Sequence, residues 1–164
     1  MRLPPPREPG CYRIALVCLG NICRSPMAHV VLEARLSEAG LSDVVAVTSS
    51  GTGGWHEGKP MDQRAADTLT GAGYDASRHR ARTFDATWHD DHDLVLVMDA
   101  ENLREIGGPG ERVAMFRDFD PDEPGAAVPD PYYGGAAGFK EVLRMVERTS
   151  SALVSALDRE LAPR

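Results

Sequence analysis

Residues 12–27 read YRIALVCLGNICRSPM, and this stretch decides the fold. Its opening run, Tyr12 to Cys18, is apolar at Ile14, Ala15, Leu16 and Val17 and ends on a cysteine. So short and continuous a run suits a strand buried on both faces better than a helix. After the loop LGNICR, Ser25 and Pro26 mark a helix start: serine suits the cap, and proline suits the first turn, where its missing N–H loses no partner. Met27, Val30, Val31, Ala34 and Leu36 carry the helix on to about Gly40, where glycine stops it.

Outward from this unit the same alternation recurs. Val44 to Ser49 (VVAVTS) is a second strand, Asp93 to Met98 (DLVLVM) a third and Val113 to Phe116 a shorter fourth. Between them Asp62 to Gly71 and Glu101 to Ile106 are helical. Phe139, Val142, Leu143, Val146, Leu153, Leu157 and Leu161 then fall at helical steps along one stripe. Strands alternating with helices predict an α/β fold, a four-stranded parallel sheet with helices on both faces and a phosphate-binding loop between the first strand and first helix. Gly107 to Gly110 and Pro121 to Pro131 are loops within it.

The chain has 164 residues, the size of one domain. Met1 to Gly10, MRLPPPREPG, is expected to be a flexible tail, and 11–164 a single domain. The tail lacks the apolar stretch of a secretory signal, which places the protein in the cytoplasm. Acidic residues outnumber basic ones, 25 to 18, for a net charge of -7, arguing against nucleic acid or an anionic membrane as partner. No apolar run approaches the roughly 18 residues a membrane helix needs. The three cysteines, Cys11, Cys18 and Cys23, are an odd set that suggests reduced thiols rather than a disulfide framework.

Cys18 and Arg24 are separated by five residues, so a thiolate and a guanidinium can face one phosphate across a tight loop. Arginine is common in this chain, and the spacing means little without its context. Here the loop joins a buried strand to a helix start, so its N–H groups can converge on an anion and the helix dipole adds positive potential. The same field favours thiolate over thiol at Cys18. Gly20 lets the backbone turn tightly, Asn21 tolerates a left-handed conformation, and Arg24 can grip two phosphate oxygens at once. A buried cysteine at a strand end would not account for the glycine, asparagine, arginine, serine and proline that follow in order.

Residues 17–27, VCLGNICRSPM, resemble the signature of the low-molecular-weight protein tyrosine phosphatases, a likeness that extends from about Tyr12 to the last helix. The resemblance implies Cys18 as nucleophile, Arg24 as phosphate clamp, Ser25 as a hydroxyl steadying the leaving thiolate, and Leu19, Gly20, Asn21, Ile22 and Cys23 as donors of backbone N–H groups. It also gives a role to residues 128–135, VPDPYYGG. Asp130 lies between two prolines that restrict its loop. In the family such an Asp-Pro-Tyr segment supplies the general acid, which here would be Asp130, with Tyr132 and Tyr133 walling the entry. By the same likeness Trp55 is a rim residue, Ser49 and His79 brace Asn21, and Asp99 lies near the site, where it could equally cap the helix at Glu101. A reversible Cys18–Cys23 disulfide is a further expectation.

No metal or cofactor is expected. His89-Asp-Asp-His-Asp93 reads as a solvated turn, Asp118, Asp120 and Asp122 lack the glycine and glutamate of a calcium loop, and two cysteines are too few for structural zinc. The expected partners are phosphotyrosine proteins acting as substrates of a monomer. The alternatives are an arsenate reductase on the same scaffold, a phosphocarrier module and a non-catalytic phosphotyrosine binder.

Overall fold

The computed structural model describes residues 2–161. Four strands, β1 (Tyr12–Cys18), β2 (Val45–Gly51), β3 (Leu94–Val97) and β4 (Val113–Met115), form one parallel sheet in the order β2-β1-β3-β4. The helices are α1 (Arg24–Glu38), α2 (Gln63–Gly71), α3 (Thr87–Asp91), α4 (Ala100–Glu105) and α5 (Ala136–Leu161).

The continuous apolar character of β1 follows from its central place. Ile14 and Leu16 point into the larger core under α1 and α5, while Ala15 and Val17 point into a smaller core with Val95, Val97 and Ile106. Phe84, Trp88 and Leu103 cover that second core, so both faces of the sheet carry helices as expected. From β1 the chain crosses to β2 on one side and then returns to β3 on the other. The crevice beyond the carboxyl ends of β1 and β3 is therefore a topological switch point, where ligands bind in open α/β sheets.

Two local expectations are corrected. Helix α1 begins at Arg24, with Cys23 in the cap position and no side chain capping it. Ser25 lies inside the first turn because its hydroxyl is held instead by the Cys18 sulfur and the Asn21 amide. The run expected to be a solvated turn, His89 to Asp93, belongs largely to α3 and then turns inward. His92 and Asp93 are buried, the former stacked on Trp88 at 5.0 Å between ring centroids. His92 Nδ1 donates to the Trp88 carbonyl, and Nε2 meets Thr48 Oγ1 at 2.7 Å.

Residues 2–10, expected to be a flexible tail, make defined contacts. The Arg7 N–H donates to Asp93 Oδ1 at 2.7 Å, the Tyr12 hydroxyl to the Pro4 carbonyl at 2.9 Å, and Leu3 packs against the main core. Among the described residues, no helix is long and apolar enough to cross a membrane.

Candidate active site

Cys18 ends β1 with its sulfur beneath a tight loop. The Asn21 N–H points at Sγ from 3.3 Å and Ser25 Oγ stands 3.0 Å away. Asn21 adopts φ +56°, the left-handed conformation expected of it. Each of its polar groups is engaged. Nδ2 donates to Ser25 Oγ (2.8 Å) and Ser49 Oγ (3.1 Å), Oδ1 accepts from the Arg82 N–H (2.9 Å), and the carbonyl accepts from His79 Nε2 (2.7 Å). Ser49 and His79 thus lie where the sequence reading put them, against Asn21. His29 Nδ1, on the first helix, extends the array, 3.2 Å from Ser49 Oγ.

The loop rests on the end of β2. Thr52 and Gly53 donate their N–H groups to the Cys18 and Leu19 carbonyls, both at 2.9 Å, and the Asp62 N–H reaches the Ile22 carbonyl at 2.9 Å. Gly51 lies directly under the loop. A Cβ there would stand 2.7 Å from the Leu19 oxygen and 2.9 Å from both the Asn21 nitrogen and the Gly20 carbonyl carbon. The tight approach is therefore made at Gly51, which sequence reasoning missed. Gly20 has no positive φ; its small size instead admits the His56 ring, whose Cδ2 would be 3.2 Å from a Cβ.

Arg24 is buried, with Nη1 donating to Asp99 Oδ2 at 2.6 Å and to the Val128 carbonyl at 3.0 Å. Burial works against its charge, but Cys18, Asp99 and Asp130 outweigh burial and hold the guanidinium above its ordinary pKa. Asp99 fills both of its expected places, since its Oδ1 also caps α4 by accepting from the Asn102 N–H at 2.8 Å. Asp130 approaches the other terminal nitrogen of the same guanidinium, its Oδ2 lying 3.6 Å from Arg24 Nη2.

These groups open into a cleft of about 360 Å³. Cys18, Leu19, Gly20, Ile22, Cys23 and Arg24 line it, with Asp130, Trp55, His56, Tyr132 and Tyr133 on the other walls. Trp55 and Tyr133 are largely exposed, and the Tyr132 and Tyr133 rings meet edge to face at 5.0 Å. Asn21 and Ser25 are fully buried and do not line the cleft. His56 was not foreseen, because a histidine in a polar loop carries no periodic signal.

Burial, followed by the Asp62 charge and by Cys18 itself, pushes the Cys23 thiol far above its ordinary range. Cys23 is therefore a thiol at neutral pH. Burial also lowers the pKa of His79, and the neutral ring donates from Nε2 to the loop.

Residues 13–163 match the family model described as low molecular weight phosphotyrosine protein phosphatase. The chain is 45% identical over 161 residues to a low molecular weight protein-tyrosine-phosphatase of Streptomyces coelicolor, covering 93% of this chain and 98% of that one. It is 42% identical over 154 residues to low molecular weight protein-tyrosine phosphatase A of Mycobacterium tuberculosis, covering 91% and 93%. Among solved structures, a protein tyrosine phosphatase of Entamoeba histolytica superposes with a TM-score of 0.85 at 30% identity, covering 90% of this chain and 97% of that one. YfkJ of Bacillus subtilis does so with 0.85 at 31% identity, covering 94% and 98%.

Proposed function

Because the chain belongs to the low-molecular-weight protein tyrosine phosphatase family, and so is a phosphoric monoester hydrolase, we propose that it cleaves phosphotyrosine and small aryl phosphates through a phosphocysteine on Cys18. The observation that carries this reading is the convergence of the Cys18 sulfur, the Arg24 guanidinium and the Asp130 carboxyl on one cleft.

The substrate phosphate lies over the loop, where the N–H groups of Leu19 to Cys23 and the uncapped first turn of α1 face its oxygens. Arg24 is held from behind by Asp99 and Val128, so its outer nitrogen is aimed at the phosphoryl group before substrate arrives. The Asn21 N–H and the Ser25 hydroxyl stabilise negative charge on sulfur. Sγ attacks phosphorus, the P–O bond to the leaving group breaks, and the Asp130 carboxyl gives its proton to the departing aryl oxygen. A water then attacks the phosphocysteine, Asp130 takes its proton, and inorganic phosphate and the thiolate are released. Ser49 and His79 hold Asn21 and hence the loop throughout.

Trp55, Tyr132 and Tyr133 form an aromatic mouth that suits an aryl ester, and a shorter phosphoserine would reach the sulfur less easily. On this reading the substrates are phosphotyrosine proteins met by a cytoplasmic monomer, and every group the chemistry needs is on the chain. Arsenate reduction on the same scaffold requires further thiols to carry a disulfide outward, and no cysteine follows Cys23. A phosphocarrier or a mere phosphotyrosine binder has no need of an acid at Asp130.

The test is hydrolysis of phenyl phosphate by the unaltered chain, Cys18→Ser and Asp130→Ala. Cys18→Ser should be inactive, and Asp130→Ala should lose roughly 10²- to 10⁴-fold on this poor leaving group. Retained activity in Cys18→Ser would refute the nucleophile.

A further inference from the structure

Asp130 can serve as an acid only if its loop is held in register with the phosphate loop, and although Pro131 beside it is buried, a proline has no N–H with which to tie the loop to another element. Within the loop the Tyr132 N–H donates to Asp130 Oδ1 at 3.1 Å and the Gly134 N–H to the Pro131 carbonyl at 2.9 Å. Both bonds are local and fix the shape of the turn. They do not fix its place on the protein.

That connection comes from the first turn of α2. Arg64 Nη2 donates to the Tyr132 carbonyl at 2.9 Å, and Nη1 to the Gly134 carbonyl at 3.1 Å. Among the described residues these are the hydrogen bonds joining residues 129–135 to another element, beside the Gly138 N–H bond to the Gly135 carbonyl where α5 begins and the longer Asp130–Arg24 contact. The guanidinium also lies 5.5 Å from the Tyr132 ring centroid and 4.8 Å from that of Phe139, the first large core residue of α5. On its other edge Arg64 is gripped by Asp62, through Nε at 3.1 Å and Nη2 at 2.9 Å. The N–H of that same Asp62 is bound to the Ile22 carbonyl of the phosphate loop.

We propose that Arg64 is a positioning residue for proton transfer, latching the Asp130 loop to the phosphate loop through Asp62 so that acid and nucleophile keep one spacing. The proposal rests on Asp130 being the acid. Four of the five N–H donors of Arg64 are engaged in a fork that the single ammonium of lysine cannot reproduce. Arg64 touches neither the sulfur nor the phosphate site, so its loss should disturb the proton donor and leave anion binding alone.

The experiment compares kcat/KM for a nitrophenyl phosphate, whose leaving group needs little protonation, with that for phenyl phosphate, which needs much. It is run on the unaltered chain, Arg64→Met, Arg64→Lys, Asp130→Asn and the double variant Arg64→Met/Asp130→Asn. Methionine keeps an apolar stem against Phe139 and Tyr132, and a urea midpoint on each variant confirms folding. Asp130→Asn should widen the nitrophenyl-to-phenyl ratio by roughly 10²-fold, and both Arg64 variants by about 10-fold, with the inhibition constant for inorganic phosphate held within about twofold. The double variant should show no wider ratio than Asp130→Asn alone, since a latch has nothing left to position. A ratio unchanged in the Arg64 variants while Asp130→Asn widens it overturns the latch, as does a double variant in which the two effects multiply. If Asp130→Asn itself leaves the ratio unchanged, the acid assignment falls, and the latch with it.

Discussion

Gly51→Ala is the perturbation for which the structure yields the most definite number. Gly51 pairs with Cys18 across the β1–β2 ladder, and the phosphate loop passes over its Cα. The added methyl would lie 2.7 Å from the Leu19 oxygen, against about 3.4 Å for an ordinary contact, so loop and strand must part by about 0.7 Å. All three crowding atoms are backbone of the loop, so no side chain can swing away. The fold should survive, because overpacking of this kind costs about 1–3 kcal/mol. Catalysis should not: a shift approaching 1 Å in a positioned nucleophile and anion cradle lowers kcat/KM by about 10- to 100-fold. The assay is kcat/KM on nitrophenyl phosphate together with phosphate inhibition and a urea midpoint. Gly71→Ala, at a helical position with nothing within 4 Å of the new methyl, serves as control and should keep full activity with equal or slightly higher stability. Gly51→Ala with activity within about twofold of the parent would refute the claim that this contact sets the loop.

Other outcomes follow from buried charge. His79 and His92 have pKa values lowered by burial, so the unfolded chain binds protons that the native state refuses. Their contribution to stability is complete above the unfolded value of about 6.5 and declines as pH falls below it, so the urea midpoint should drop between pH 7 and pH 5; a midpoint flat or rising over that span would contradict this. Asp120 is buried, accepts from Arg117 Nε (2.9 Å) and from Arg148 Nε and Nη2 (both 2.8 Å), and is held well below the usual carboxylate range chiefly by Arg148. Asp120→Asn should therefore destabilise the fold by about 2–4 kcal/mol in urea titration, because it leaves Arg117 buried beside a neutral partner. A loss too small to measure would mean that Glu123 alone satisfies Arg117.

Much of this site was legible in the chain because its constraints are local. The apolar run before Cys18 and the left-handed tolerance of Asn21 each depend on neighbours in sequence, and the structure has each in place. What escaped depends on distant partners. Gly51 looks like any glycine after a strand until the loop from Cys18 is laid over it. His92 and Asp93 read as solvated because they are polar, and they are buried because Thr48, Arg7 and Arg13, from distant parts of the chain, satisfy them. Ser25 was given a capping role by its type, and the nearby sulfur and amide claimed its hydroxyl instead.

The central claim is a covalent bond between phosphorus and the Cys18 sulfur. Turnover of nitrophenyl phosphate, quenched in acid within the first cycles and followed by peptide mass spectrometry, tests it most directly. One phosphoryl group should appear on the peptide carrying Cys18, absent from Cys18→Ser and longer-lived in Asp130→Asn, where no carboxylate activates the hydrolytic water. A fully active enzyme that never carries phosphate on Cys18, or carries it on another residue, would contradict the account.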